Sequence, residues 1–338
     1  MISNKTIFVT GAGGFIGGHL IKKLLENNNT IVAADIKPIE YWFQAFDDVT
    51  NYDSLDLIDM NNCKKIFENN KIDYVFNMAC NMGGMGFIEN NKAECMLSVL
   101  INTNLLLVCK DFQVKKYFFS SSACAYNKDL QQETSISGLK ETDAYPANPE
   151  DGYGWEKLFS ERMCRHFYED FGLETRVARF HNIYGPVGTF DGGREKAPAA
   201  LCRKVIEANI NGSNEIEVWG DGKQTRTFLF IEDCIEGVLR LFNSDFREPL
   251  NIGSDEQVSI NKMIEIIEKI SNSKKLNKNY LLDKPKGVRG RSSNNELATK
   301  TLDWNYSTSL EEGLKETYGW IFSQLTKNKD NAKRFTRS

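Results

Sequence analysis

The sequence predicts an α/β fold, a doubly wound parallel sheet followed by a smaller C-terminal α/β lobe, from three observations. A β-branched and aromatic run, Lys5 to Thr10 (KTIFVT), leads directly into Gly11-Ala12-Gly13-Gly14-Phe15-Ile16-Gly17. Short apolar runs and helical patterns then alternate as far as Phe180. Beyond His181 the glycines of Gly185-Pro186, Gly188, Gly192-Gly193, Gly220-Asp221-Gly222 and Gly253 break the pattern up. Alternation of this kind marks a parallel sheet covered on both faces, because each parallel crossover needs a helix to bring the chain back.

The first strand, its Gly-rich turn and a helix carrying Leu20, Leu24 and Leu25 form one unit. Glycines there let the backbone approach a pyrophosphate, whose charge is met by free N–H groups at the helix N-terminus. The spacing is Gly11-x-x-Gly14-x-x-Gly17, with Phe15 and Ile16 inside it, a variant of the dinucleotide-binding fingerprint. A second strand, Thr30 to Ala34, ends in Asp35, placed to accept hydrogen bonds from an adenosine ribose. A carboxylate there repels a 2′-phosphate and favours NAD over NADP, although Lys37 nearby argues the other way. Asp56 and Asp59, ahead of a helix around Asn62 to Asn69, are candidates for the adenine end. The expected sheet is therefore of the Rossmann type.

Asp73 to Ala79 and Lys116 to Ser122 are continuous apolar runs of the kind a parallel sheet buries, with a helix expected from about Ile88 to Phe112. A helix near Asp151 to Phe171 and a strand over Glu174 to Phe180 follow. Later helices are expected at Ala197 to Asn209, Ser259 to Ser271 and Leu310 to Leu325. This division gives a nucleotide-binding domain over 1–181, to which about 225–255 returns, and a substrate-binding lobe over most of 182–326. The polar, basic tail over 327–338 is expected to fray.

A chain of 338 residues with 41% hydrophobic content buries a large core. Its net charge of −4 and isoelectric point near 5.7 argue against nucleic acid as a partner. No stretch reads as long and apolar enough to span a bilayer, and the N-terminus enters the first strand with no signal peptide, so a cytoplasmic protein is expected. Eight scattered cysteines with no C-x-x-C pair suggest buried thiols in a reducing compartment, and the three histidines have no metal-ligand spacing, so no metal is expected.

Chemistry centres on Ser122, Tyr153 and Lys157. Tyr153 and Lys157 lie four apart on one helical face, so the amine sits below the phenol. A neighbouring ammonium and a nicotinamide charge are expected to lower the phenol's pKa and make it a usable base. Cys124 lies two residues past Ser122 and so, by the two-residue period of a strand, on the same side. Cations such as Lys196 are expected to favour its thiolate. A thiol and a second amine are not needed to oxidise a hydroxyl, so their presence asks for a second reaction.

The glycine pattern with Tyr153-x-x-x-Lys157 resembles the extended short-chain dehydrogenase/reductase superfamily. Longer strings resemble its GDP-mannose 3,5-epimerase family: Asn81 to Phe87 (NMGGMGF), Ser121 to Cys124 (SSAC), Phe180 to Pro186 (FHNIYGP), Gly192 to Ala200 (GGREKAPAA), Trp219 to Gly222 with Gln224-Thr225-Arg226, and Gly287 to Arg291 (GVRGR). The likeness runs from the first strand to about Ile321. It implies tightly held NAD, regenerated in each turnover, and transient oxidation of a GDP-sugar at C4. Cys124 and Lys196 would form an acid/base pair on opposite faces of the ring, acting at C3 and C5. It also implies substrate contacts from Gly83, Ser122, Ala123, Asn182, Glu195, Ala197, Lys204, Gln224, Thr225, Arg226 and Arg291, and a homodimer built through the two long helices.

The sequence departs from that family's usual pattern at Asn81, at Asn127 after Tyr126, and in Gly152-Tyr153-Gly154-Trp155. None of these removes a catalytic group, but they leave the sugar open to a heptose or a 6-deoxy sugar. Two other readings stay open from sequence: a nucleotide-sugar 4-epimerase or 4,6-dehydratase, and a non-catalytic NAD-binding sensor. Dehydratases of the superfamily carry an acid pair where Ala123 and Cys124 stand.

Overall fold

The computed structural model describes residues 2–336. The first half runs β1 (Thr6–Thr10), α1 (Phe15–Leu25), β2 (Thr30–Ala34), β3 (Val49–Tyr52), α2 (Met60–Asn69), β4 (Tyr74–Asn77), α3 (Met85–Asn90), α4 (Lys92–Asp111), β5 (Lys116–Ser122), α5 (Asp151–Phe171) and β6 (Glu174–Phe180). The second runs β7 (Ile183–Tyr184), α6 (Ala197–Asn211), β8 (Glu215–Trp219), β9 (Thr225–Arg226), β10 (Leu229–Phe230), α7 (Ile231–Asn243), β11 (Leu250–Ile252), β12 (Val258–Ser259), α8 (Ile260–Ser271), β13 (Asn277–Leu281), α9 (Glu296–Leu302), α10 (Leu310–Thr326) and α11 (Lys329–Ala332).

Seven parallel strands form the main sheet in the order β3-β2-β1-β4-β5-β6-β11. The chain winds outward from β1 to β3, then crosses back to lay β4 on the other side of β1. Loops leaving β1 and β4 therefore diverge and open a crevice at the C-terminal ends of the strands.

Both faces of the sheet are apolar because both are covered. Along β5, Tyr117 and Phe119 face a cluster with Leu105, Leu106 and Phe167, while Phe118 faces Phe76 and Phe180 on the other side. The lobe pairs β8 with β13 and packs α6, α8 and α10 on one another. Ser259 and Ser309 cap α8 and α10 by accepting from the N–H groups of Lys262 and Glu312.

Several expectations are corrected. The single helix over 88–112 is two, broken at Asn91, whose backbone leaves the helical region at φ −128° and ψ 46°. The helix α7 was not expected, although Ile231, Ile235, Val238 and Phe242 give it a buried stripe. The strands β3, β8 and β13 were also missed; NKNYL has little apolar signal and is held by pairing with Ile216 and Val218 of β8, themselves buried.

The tail does not fray over its described part. Phe335 is 2% exposed, packs against Phe43, Phe190 and Trp320, and its carbonyl accepts from the Phe190 N–H at 3.1 Å. Residues 337 and 338 lie outside the described residues. Contrary to expectation, α4 is long and apolar enough to cross a membrane, with mean hydropathy 1.4 over an 18-residue window, yet it packs along α5 against the sheet.

Candidate active site

One cleft of about 1310 Å³ runs from the first Gly-rich turn, across the ends of β4 and β5, to the lobe. Its cofactor end is built by close approach. A Cβ on Gly17 would lie 2.2 Å from the Gly11 carbonyl oxygen, so α1 can sit this near the turn only without a side chain. Gly14 caps α1 with no side-chain hydrogen bond, leaving first-turn N–H groups for an anion.

Asp35 ends β2 at 7% exposure, accepting from the N–H of Gly13 at 3.0 Å and of Lys37 at 2.9 Å. Burial pushes its carboxyl up, while Lys37 beside it pulls the other way. Asp56 lines the same end with Leu57 and Ile58, whereas Asp59 instead caps α2. A glycine cradle, an open helix N-terminus and a buried carboxylate at the second strand end together fit a dinucleotide. Gly11, Gly14, Phe15, Ile16 and Gly17 all line the cleft.

At the middle of the cleft lie Ser122, Ala123, Cys124 and Tyr153. The strand alternation that predicted Cys124 ends at Ser122. Cys124 reaches the cleft because Ser122 Oγ accepts its N–H at 3.2 Å and winds Ala123–Ala125 into a 3-10 turn. The N-terminus of α5 presses on that turn: Glu150 donates its N–H to the Cys124 carbonyl at 2.9 Å. A Cβ on Gly154 would fall 2.3 Å from the same carbonyl, which is why the residue after Tyr153 has no side chain.

Lys157, 1% exposed, places its Nζ 5.4 Å from the Tyr153 ring centroid and 3.3 Å from Glu156 Oε2. Burial opposes its charge, but Cys80 and Glu156 hold the ammonium above its usual range. Burial pushes the Tyr153 phenol well up, with Cys80, Cys124 and Glu156 adding to the rise. The Cys124 thiol is also raised, by burial and then by Glu150, so the expected thiolate is not favoured. Burial lowers Lys196, which caps α6 and faces the Cys124, Cys80 and Cys234 thiols and Arg291.

The lobe brings Asn182, Glu195, Lys196, Ala197, Lys204, Gln224, Arg226 and Arg291 to the cleft, opposite Gly83. Lys204 Nζ donates to the Glu217 carbonyl at 3.1 Å, and Gln224 to that of Trp219 at 2.8 Å. Burial, with Arg291 next, lowers the Arg226 guanidinium to about 10. Thr225 is the exception. Its hydroxyl donates to the Thr134 carbonyl and accepts from Gln257 at 3.1 Å, because β9 turns it away from the cleft while Gln224 and Arg226 point in.

Sequence reading missed Glu150, which binds Arg291 at 2.8 Å, and Arg194. Arg194 donates to Asn81 Oδ1 at 2.9 Å and to the Met82 carbonyl at 3.1 Å, tying the Lys196 loop to the 81–87 segment. Its place inside GGREKAPAA was the available signal. Among the described residues, no group of three His, Cys, Asp or Glu is placed to hold a metal ion, and all eight cysteines are free thiols.

The chain matches the NAD dependent epimerase/dehydratase family over residues 7–253. It is 48% identical over 324 residues to GDP-mannose 3,5-epimerase 1 of Oryza sativa subsp. indica, covering 96% of this chain and 83% of the relative. GDP-mannose 3,5-epimerase of Arabidopsis thaliana is 47% identical over 328 residues, covering 96% and 84%. UDP-glucose 4-epimerase from Thermotoga maritima, solved with UDP-glucose, superposes with a TM-score of 0.85 at 25% identity over 95% of this chain and 99% of that one. UDP-glucuronic acid 4-epimerase from Bacillus cereus, solved with UDP-glucuronic acid and NAD, gives 0.78 at 26% identity over 95% and 99%. With the glycine cradle, the Tyr153/Lys157 pair and this likeness along nearly its whole length, the chain belongs to the NAD dependent epimerase/dehydratase family, in the group of the GDP-mannose 3,5-epimerases.

Proposed function

We propose that the protein is an NAD-dependent epimerase acting at C3 and C5 of GDP-mannose, yielding GDP-L-galactose when both centres invert and/or GDP-L-gulose when C5 alone does. The observation that carries this reading is the second pair of acid/base groups. Cys124, buried, and Lys196, half-buried, share one cleft with Ser122 and Tyr153, and neither is needed for oxidation at C4 alone.

NAD, when bound at the Gly11–Gly17 turn, supplies a reversible hydride acceptor. Tyr153 takes the O4 proton and later returns it, Ser122 orients the hydroxyl, and the Lys157 ammonium holds the nicotinamide ribose. A ketone at C4 makes the C3 and C5 hydrogens acidic through enolate formation. At each carbon one of Cys124 and Lys196 takes the carbon-bound proton from one face and the other gives its own, solvent-exchangeable proton to the opposite face. Arg226, Lys204 and Gln224 take the diphosphate and guanine end, where guanidinium geometry and charge suit phosphate oxygens.

The test is NMR of GDP-mannose with the purified, NAD-loaded protein in deuterated water, beside Cys124→Ala. Deuterium at C3 and C5, lost in the variant, is expected. No exchange in the wild type refutes GDP-mannose as substrate, and GDP-heptoses are then tested.

We further propose a cytoplasmic homodimer. Met96, Leu97 and Leu100 of α4 and Trp155 and Phe159 of α5 are exposed apolar residues on two helices packed together, which supports burial against a second copy. Light scattering of Phe159→Glu is expected to report the monomer mass; an unchanged mass refutes this interface.

A further inference from the structure

The cation in hydrogen-bond reach of the Cys124 sulfur is itself ion-paired. Arg291, 4% exposed, donates from one nitrogen toward Cys124 Sγ at 3.5 Å and from another to Glu150 Oε2 at 2.8 Å, while its Nε donates to Gln131 Oε1 at 2.6 Å. Glu150 is 8% exposed, and its backbone N–H is the group that fixes the Cys124 carbonyl. A single buried guanidinium is therefore shared between a carboxylate and the reactive thiol, and the same residue supplies the carboxylate and the backbone anchor.

We propose that Glu150 is a positioning residue for the reaction: it neutralises Arg291 beside Cys124 and so holds Cys124 as a thiol in the resting site. This rests on the epimerase reading only for the use made of the thiol, since the arrangement itself involves no substrate. An uncompensated guanidinium at 3.5 Å favours the thiolate, and the Glu150 carboxylate, which lies beside both the guanidinium and the thiol, opposes it. The other groups facing Cys124 are Arg226 and Lys196 from the lobe, Tyr153 from α5 and Ser122 at the end of β5. Among the described residues Arg291 is the cation whose hydrogen bond reaches the sulfur, and Glu150 is its counterweight. Arg291 keeps its charge because Glu150 and Cys124 outweigh the cost of burying it.

The experiment is the pH dependence of iodoacetamide alkylation at Cys124, read by mass spectrometry of the Cys124 peptide so that Cys80 in the same cleft does not interfere, in wild type and Glu150→Gln. Glutamine keeps the length and the hydrogen-bond acceptor for Arg291 but removes the negative charge. The alkylation midpoint is expected to fall by about one pH unit or more, which is about tenfold faster modification at neutral pH. A midpoint in folded Glu150→Gln that stays put or rises overturns the proposal. Should the glutamine variant not fold, the wild type still decides: a midpoint at or above the free-cysteine value of about 8.5 is expected, and one below about 7 overturns the proposal. In deuterated water, Glu150→Gln is also expected to change the pH profile of deuterium entry at C3 and C5, whereas a merely structural role lowers it equally at every pH. Alkylation needs no GDP-sugar, so failure of the substrate reading leaves the proposal standing or falling by itself.

Discussion

Removing the Arg179 charge tests how the catalytic strand and helix are held together. Arg179 of β6 and Glu161 of α5 are each 2% exposed and make a two-pronged pair, Nε to Oε1 at 2.8 Å and one terminal nitrogen to Oε2 at 2.7 Å. Ser121 of β5 also donates to Glu161 at 2.5 Å, and the other terminal nitrogen of Arg179 donates to the Glu141 carbonyl at 2.7 Å. The pair thus joins β5, β6 and α5, the elements that present Ser122 and Tyr153. Arg179→Met leaves a buried carboxylate with only the Ser121 hydroxyl, at a cost of about 3–5 kcal/mol. Glu161→Leu added to it removes the orphaned charge, so the double variant is expected to be more stable than Arg179→Met alone. Urea unfolding of the wild type, both single variants and the double gives the coupling directly, provided the slope with denaturant is unchanged. A loss below about 1 kcal/mol for Arg179→Met, or a double variant that simply adds the two losses, refutes the reasoning.

Three further outcomes are expected. Tyr153→Phe keeps the packing of the ring but loses the phenolic proton carrier, so turnover is expected to drop on the order of 10²–10⁴-fold with cofactor content intact; a loss under tenfold contradicts the role. Gly17→Ala drives a methyl into the Gly11 carbonyl at 2.2 Å, and the purified variant is expected to lose bound NAD, measured as cofactor per chain after denaturation. His181, fully buried on Asn251, has its imidazole lowered from 6.5 to about 3 by burial, so between those values the unfolded chain holds a proton the folded one does not. Its share of stability is present above 6.5 and is lost as pH falls toward 3, by up to about 1.4 kcal/mol per unit. Urea midpoints at about pH 7 and about pH 5 are expected to differ less in His181→Gln than in wild type, and equal differences refute this.

Much of the fold was legible because its signals are local. Strand, glycine turn and helix follow one another within the first 25 residues, and α5 was bounded at Asp151 and Phe171 by its own pattern and by Gly172 in the left-handed conformation at φ 71°. The break at Asn91 was missed, although Asn90 and Asn91 in succession favour caps and turns over a helix interior. The tail was not legible, since one residue, Phe335, finds a ring-lined socket built by Phe43, Phe190 and Trp320 from distant parts of the chain.

The sequence by itself determined which chemical groups are available: the glycine turn with Asp35 for a dinucleotide, Tyr153 and Lys157 on one helical face, and a thiol and an amine beyond what oxidation requires. Those follow from residue type and short-range spacing. Tertiary structure alone decided what state the groups are in. Burial raises Tyr153 and Cys124 and lowers Lys196, Thr225 is turned out of the cleft that Arg226 enters, and Glu150, 141 residues from Arg291, takes up the guanidinium beside the thiol. Proton affinity depends on desolvation and on charges a few ångströms away, and those neighbours come from segments that sequence spacing does not connect.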